Sequence, residues 1–571
     1  MNFKIIFAFL GVVGLLLGAC MIACIPWGTP PLNDGVLEAK GVGALFKSSL
    51  ISYVVGLVFH ILGRGADSSR LYLREAFACV SLCWILAILL GTLPYLLCGV
   101  ERLKGVPFTF ADALFESSSG LTTTGASVFG DLEDPSTLPR SILFWRCLTH
   151  FIGGLGVVCC FVAFLGKGAS GKAILKVEHL FSGALPFVKI QSLAGSLVLI
   201  YFVLFLSVFI WFLFCGASLY DSITHAFSIT SNGGFSTRND SAGFFSQAAG
   251  VRTNMLEYGM VFFMAVSGIN FWLLYWASRG SFEKLFKDVE FRFYITSILV
   301  VSILATVLGV VNHNFVFRGT RAPTANIQAH RALAQQGKHP CELEGFESGT
   351  SNVVNGQSEP SVRKKCVIVC KDYNEAFRNS LFQTVSLMTS TGLAVCKYEY
   401  WNVATMILFI FVMVMGGCAG SPAGGVKVYR MALALRLIVN ETQKKFRPNV
   451  VKITKLGGQN VEPETAGAAL RFIASYCALV FITAFVVAAI EPDSLWTSQD
   501  RSPVEKLFDV FMGTIAMFSN TGLAFGSFGS TGNFGSISEA SKIIFSWAMI
   551  VGRLEIWCVL ALFSPAFWRN R

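Results

Sequence analysis

One stretch, read ADALFESSSGLTTTGAS from Ala111 to Ser127, occurs in four variants along the chain, and it restricts the possible folds more than any other feature. The copies align on the glycines Gly125, Gly234, Gly392 and Gly522. Thirteen residues before these stand Asp112, Asp221, Asn379 and Asp509, and eleven before stand Leu114, Ile223, Leu381 and Phe511. Six before stand Ser119, Ser228, Ser386 and Ala516. Three before stand Thr122, Ser231, Thr389 and Ser519; two before stand Thr123, Asn232, Ser390 and Asn520. The pattern predicts an N-cap at the Asp or Asn, about three turns of helix made of small and apolar residues, then a short polar segment ending on Gly.

Such a unit has specific chemistry. A half-length helix cannot cross a bilayer, which takes about 20 apolar residues. A polar, non-helical segment at membrane depth persists only where it lines a water-filled cavity. Four copies around one axis would aim backbone carbonyls inward and replace the water around a dehydrated cation. Glycine permits the backbone angles this needs. Each helix would also point its negative C-terminal end at the axis. Ordinary Ser/Thr/Gly turns account for a single copy, but not for four in register.

Composition agrees. The 571 residues are 54% hydrophobic and 14% charged, and mean hydropathy is +0.61, which excludes a soluble globular domain. The 52 phenylalanines suit a lipid-facing surface. The formal charge of +11 sits between hydrophobic runs and not in a compact basic domain, so it speaks for membrane topology and not for nucleic acid. Most of the 16 cysteines lie in apolar runs such as Cys159-Cys160, as small buried hydrophobes, and no CxxC metal spacing occurs.

Along the chain, Ile5–Ile25 and Gly41–Leu62 read as two N-terminal spans. Leu17-Gly18-Ala19-Cys20 has the look of a lipoprotein cleavage box, but an uncleaved first span fits better. The first repeat has a span at Leu71–Cys98, a short helix at Asp112–Leu121 and a second span at Leu138–Leu165. The second repeat has Ser192–Cys215, Asp221–Thr230 and Asn254–Ser278. The third has Phe293–Val311, Asn379–Met388 and a span beginning near Trp401. The fourth has Leu470–Ile490, Asp509–Phe518 and Ser541–Leu562. The resulting division is 1–70 for the helix pair, then 71–189, 190–289, 290–464 and 465–571 for the repeats. The third repeat carries an outer insertion at 312–372 and a basic cytoplasmic linker at 441–464. The fold class is all-α and polytopic, with about ten spans and four re-entrant helices.

Arg64, Arg70, Arg74, Lys167, Lys172, Lys176, Arg279, Lys284 and Lys287 fall on one side, with Lys444, Lys445, Arg447 and Arg569. Asp131, Glu133, Asp134, Glu491 and Asp493 fall on the other. The positive-inside rule makes the first side cytoplasmic, so both termini are inside and all four turns face outward. Two of Cys341, Cys366 and Cys370 in the insertion can pair in an oxidising compartment, or all three are incidental thiols of an outer loop.

The segments TTTGAS (Thr122–Ser127), SNGGFS (Ser231–Ser236), TSTGLA (Thr389–Ala394) and SNTGLA (Ser519–Ala524) resemble the four selectivity-filter segments of the Trk/Ktr/HKT potassium-transport superfamily, and specifically its bacterial Trk membrane subunits. The resemblance runs from about Leu71 to the C-terminus, and it implies a single-chain pseudo-tetramer of four M1–pore helix–M2 repeats around one pore. It implies a K⁺ filter made by Thr122, Thr123, Thr124 and Gly125; Ser231, Asn232, Gly233 and Gly234; Thr389, Ser390, Thr391 and Gly392; and Ser519, Asn520, Thr521 and Gly522. All four key positions are Gly, the potassium-selective pattern. Asn232 and Asn520 make the ring of side chains uneven, which keeps a sodium-permeable cation transporter as the alternative.

MGGCAGSPAGGVK at Met415–Lys427 breaks the third M2 with five glycines and Pro422. It fails as a phosphate-binding loop, because Val426 stands where Lys is required. It resembles the family's intramembrane gate, formed here by Gly416, Gly417, Gly420, Ser421, Gly424, Gly425 and Lys427, with Ser421-Pro422-Ala423 as a departure; close helix packing is the plainer reading. The GRLE run at Gly552–Glu555 resembles the family hallmark in which the Arg, here Arg553, sets a barrier in the pore. A charge at mid-membrane costs about 2.5–3.5 kcal/mol on insertion scales. A structural pair of Arg553 with Glu555 or with Glu116 is the plainer reading; the i, i+2 spacing weakens the first, and Glu116 is open as counter-ion or as a contact with the other pore helices.

The resemblance further implies a homodimer in a bacterial inner membrane, K⁺ as transported ion with no cofactor bound, and a cytosolic nucleotide-binding regulatory subunit of the TrkA kind. The chain has no Rossmann fingerprint of its own. A membrane enzyme acting on lipid would need a cluster that His60, His150, His179 and His225 do not form, so no enzyme is expected.

Overall fold

The computed structural model describes residues 2–33, 35–65, 73–165, 190–246, 248–311, 316–318, 367–369, 373–447, 454–497, 502–530, 532–554 and 556–569. Two apolar helices come first, α1 (Phe3–Cys24) and α2 (Ala39–Leu62). They pack through small residues. A Cβ on Gly14 would lie 2.7 Å from the Gly56 Cα, and Ser49 Oγ donates to the Gly18 carbonyl at 2.9 Å.

Four successive groups follow. The first is α3 (Leu73–Gly91), the short α4 (Phe110–Leu121) and α5 (Arg140–Leu165). The second is α6 (Ile190–Phe214), the short α7 (Leu219–Ser231), then α8 (Thr253–Ser267) and α9 (Phe271–Ser278). The third is α10 (Val289–Val311), α11 (Tyr373–Met388), α12 (Val403–Met415) and α13 (Val428–Phe446). The last is α14 (Pro463–Ile490), α15 (Pro503–Phe518), α16 (Glu539–Arg553) and α17 (Ile556–Leu562). Each of the short helices α4, α7, α11 and α15 packs on the long helix before it. In addition α4 packs on α16, α7 on α5, and α11 on α8, so the last group returns to the first.

Among the described residues six helices are long and apolar enough to cross a membrane by length and composition, or up to eight if each bent pair is one span. The second helix of a group is more broken than its hydropathy suggests. The α8–α9 pair bends by 104°, α12 stops at Met415, and α16 ends at Arg553. The stop at Met415 is the break its glycines predict, whereas the sequence reads through the other two points because the flanking residues stay apolar. The bends fall at Gly268–Asn270, Gly416 and Leu554, and Asn270 caps α9 by accepting the Trp272 N–H at 2.8 Å.

The expected N-caps are corrected. Thr109 and Ser218 cap α4 and α7, accepting the N–H groups of Asp112 and Asp221, which sit one turn inside. Ser502 caps α15, and Asp509 and Asn379 lie deeper in helices of 16 residues each. The four copies therefore share their C-terminal register, not their start. Phenylalanine serves both surfaces: Phe202, Phe262, Phe481 and Phe485 face outward, while Phe115, Phe212, Phe235 and Phe382 are buried. The 312–372 insertion is bracketed by an antiparallel pair, Val316–Arg318 with Val367–Val369. Cys341, Cys366, Cys370, Lys167, Lys172 and Lys176 lie outside the described residues.

Candidate functional site

Every short helix ends the same way. The residue two before the key glycine is left-handed: φ is 52° at Thr123, 52° at Asn232, 55° at Ser390 and 51° at Asn520. The next N–H turns back to the carbonyl five residues earlier. Thr124 reaches Ser119 at 2.9 Å, Gly233 reaches Ser228 at 2.8 Å, Thr391 reaches Ser386 at 2.9 Å and Thr521 reaches Ala516 at 3.0 Å. This is the Schellman arrangement, and Asn is among the few side chains that tolerate its left-handed residue. Asn232 and Asn520 are thereby explained by backbone conformation. Their amides also bind sideways: Asn520 Nδ2 donates to Thr124 Oγ1 at 3.0 Å and to the Met549 carbonyl at 2.9 Å, and Asn232 Oδ1 accepts from Ser267 Oγ.

The serine six before the glycine has a definite task. Ser119 Oγ donates to the Ala126 carbonyl at 2.6 Å, Ser386 Oγ to Leu393 at 2.6 Å, and Ser228 Oγ to Phe235. Each bond ties the carbonyl just past the glycine to the helix. Ala516 cannot make it, and in that copy the Leu523 N–H turns to the Thr521 carbonyl at 2.8 Å.

The four turns meet in a closed cycle. A Cβ on Gly125 would lie 2.7 Å from the Gly234 Cα, and one on Gly234 would lie 2.6 Å from the Thr391 carbonyl oxygen. A Cβ on Gly392 would overlap the Thr521 carbonyl, and one on Gly522 the Thr124 carbonyl. Gly125, Gly392 and Gly522 also have φ of 86°, 71° and 73°, where an L side chain is strained. The order is first, second, third, fourth and back to first. Backbone carbonyls of Thr124, Thr391 and Thr521 therefore face the neighbouring glycines around one ring, and Thr122–Thr124, Ser231–Asn232, Thr389–Thr391 and Ser519–Thr521 are all buried.

Behind the ring lies a polar scaffold. Glu116 pairs with Arg146 at 3.0 Å, both fully buried, which corrects the expected Glu116–Arg553 pair. The Glu116 carboxylate also accepts from Ser127 Oγ at 2.5 Å and the Val128 N–H at 2.7 Å. Arg146 donates to the Ser236 carbonyl at 3.1 Å, so α5 holds the second turn as well as the first. His225 stands in the second copy where Glu116 stands in the first, and its Nε2 lies 3.1 Å from Ser236 Oγ. His150 Nε2 accepts the Phe235 N–H at 3.0 Å, so Nδ1 carries the proton it donates to the Gly120 carbonyl at 2.8 Å. Lys542 of α16 pairs with Asp112 of α4 at 2.6 Å, joining last group to first. Arg146 and Lys542 were legible only as charges inside apolar runs. Among the described residues no group of three or more His, Cys, Asp or Glu is arranged to hold a metal ion.

Beneath the ring runs the loop between α12 and α13. Gly416, Gly417, Ser421 and Gly424 are buried, and Gly420, Gly425 and Lys427 half-buried. Gly416, Gly420 and Gly425 have φ of 72°, 76° and 82°, and Lys427 has 80°. The Gly424 N–H donates to Ser390 Oγ at 2.6 Å, and a Cβ on Gly424 would overlap the Ser519 carbonyl. Cys418 N–H donates to Gly268 O at 3.0 Å, and Phe271 N–H to Gly420 O at 3.2 Å, so the loop is seated in the α8–α9 bend. Arg553 donates to the Pro422 carbonyl. The predicted gate segment and predicted barrier residue are therefore in direct contact.

Four short helices ending on one ring, inside an all-helical polytopic frame, define the class of membrane transport proteins. Residues 48–570 match the TrkH family, described as cation transport protein, and the chain belongs to it. The Trk system potassium uptake protein TrkH of Halomonas elongata is 27% identical over 582 residues, covering 100% of both chains. The Trk system potassium uptake protein TrkG of Escherichia coli is 28% identical over 542 residues, covering 93% of this chain and 94% of its own. The crystal structure of the potassium transporter TrkH from Vibrio parahaemolyticus matches with a TM-score of 0.75, 26% identity and 100% coverage of both chains.

Proposed function

We propose that this chain carries K⁺ inward across a bacterial inner membrane, through a filter made by the four glycine-ended turns. The observation that carries the reading is the cyclic packing of Gly125, Gly234, Gly392 and Gly522, each against the backbone of the next turn. A ring without side chains, faced by carbonyl oxygens, suits a bare monovalent cation. The relatives named for potassium uptake support K⁺ as that cation. Membrane potential supplies about 2.3 kcal/mol per charge per 100 mV.

The loop 416–427 is the gate in this reading, and Arg553, on the Pro422 carbonyl, is the barrier and the loop's anchor. Residues 71–189, 190–289, 290–464 and 465–571 act as four pore repeats, with 1–70 as an added helix pair. Both termini are cytoplasmic. The protein works as a homodimer with a cytosolic nucleotide-binding subunit, and the basic end of α13, with Lys444 and Lys445, is the docking side. No catalysis is involved.

Ion-dependent thermal unfolding of the purified protein tests the filter. A ligand that binds only the folded state raises stability by about 2.7 kcal/mol at 100 times its Kd. K⁺ and Rb⁺ should raise the unfolding midpoint at concentrations where Na⁺ does not. Equal shifts by K⁺ and Na⁺ would replace potassium selectivity with the sodium-permeable alternative.

A further inference from the structure

Glu290 has no part in the ring, the scaffold behind it or the Arg553 contact, yet its carboxylate is committed to the loop beneath the ring. One oxygen accepts the Ala419 N–H at 2.6 Å, in the middle of the loop. The Tyr429 backbone N–H, in the first turn of α13, is a second donor to the same carboxylate. No side chain of its own segment caps α13: Lys427 stands at the N-cap position with φ 80° and makes no capping bond. An acidic side chain from α10 thus serves as a cap supplied from another element, accepting N–H groups that the helix start leaves unpaired. Lys427 and Asp288 are the charged groups close enough to act on it.

The consequence lies in what the carboxylate spans. Ala419 belongs to the loop and Tyr429 to the helix that follows, so Glu290 grips both sides of the segment that must move. Gly424 lies against the Ser519 carbonyl, directly under the fourth turn. An ion leaving the ring on that side meets the loop unless the loop shifts, and such a shift breaks the Ala419 bond before α13 needs to move. We propose that Glu290 is the latch of the gate: a positioning residue whose carboxylate holds the loop closed and whose release accompanies opening. The inference rests on the loop 416–427 being the gate.

The test uses full-length protein in proteoliposomes, with Rb⁺ flux read beside the maleimide labelling rate of Cys418. That thiol is free and buried within the loop, so its labelling reports the loop directly. Labelling is mapped by peptide mass spectrometry, and folding of each variant is checked by its unfolding midpoint. Leaving a buried N–H without its acceptor is expected to bias a two-state loop by roughly tenfold. Glu290→Ala should raise both Cys418 labelling and flux by about that factor. Glu290→Gln keeps one acceptor oxygen but loses the second, and should raise both less. It also keeps the proposal testable if the alanine variant does not fold. Wild-type labelling in both variants overturns the latch, as does lowered flux with Cys418 still protected. Deleting residues 419–423 separates the two claims. If the deletion raises flux while the Glu290 variants change nothing, the gate stands and the latch falls. If the deletion leaves flux unchanged, the gate reading itself fails and takes the latch with it.

Discussion

A hydroxyl six residues before each of the first three key glycines holds the carbonyl one residue past it, as Ser386 holds Leu393 at 2.6 Å. Removing it strands a buried carbonyl. Ser386→Ala should therefore lose about 1–3 kcal/mol, read as a lowered unfolding midpoint. The same change at Ser119 should behave alike, because its bond to Ala126 is the same length. In the segment before α12, Glu399 accepts from Ser530 Oγ at 2.9 Å on both oxygens. Burial, only partly offset by these bonds, holds its carboxyl above the usual range. A raised folded value means the protonated form is the one the fold prefers. Its contribution is present below the unfolded pKa and is lost as pH rises through the folded one. Glu399→Gln should thus gain stability over wild type at neutral pH, and the gain should shrink on acidification below the ordinary glutamate range. An unfolding-midpoint series across pH checks this.

Among the elements, the short helices were legible because their C-terminal half carries the pattern that ends them. Small residues and a left-handed position recur there at fixed spacing in all four copies, and a serine in three. Their starts were not legible, since Asp112 lies at the third helical position and Asp509 at the seventh, and only the C-terminal register is shared. The breaks in α8–α9 and α16 were hidden by unbroken hydropathy, and the cap at Asn270 was the local signal for the first. The Glu116–Arg146 pair was missed because Arg146 lies 30 residues downstream, and no sequence spacing links it to α4. Packing between groups makes its own prediction. Lys542 of α16 and Asp112 of α4 are 2% and 0% exposed, so neither charge can return to water when the other is lost. Lys542→Ala leaves that carboxylate uncompensated and should cost about 3–5 kcal/mol. The unfolding midpoint of the variant reads it. A midpoint equal to wild type would mean the pair does not fasten the last group to the first.

At the scale of the whole molecule, the chain closes on itself. The first glycine packs on the second turn, the second on the third, the third on the fourth, and the fourth returns to the first. A single chain with four unequal copies thereby builds what a symmetric tetramer would build from identical ones. The inequality is spent at the periphery: Glu116 and His225 occupy one position in two copies, Gln383 and Gly513 in the others. The ring itself keeps glycine in all four. The most direct test is therefore cation flux in proteoliposomes for wild type and Gly125→Ser. Gly125 has φ 86° and faces the Gly234 backbone, so a serine there must push the ring open on one side. The wild type should pass K⁺ and Rb⁺ faster than Na⁺, and Gly125→Ser should lose that preference while still conducting. Equal K⁺ and Na⁺ flux in the wild type, unchanged by the substitution, would contradict the assignment of selectivity to the glycine ring.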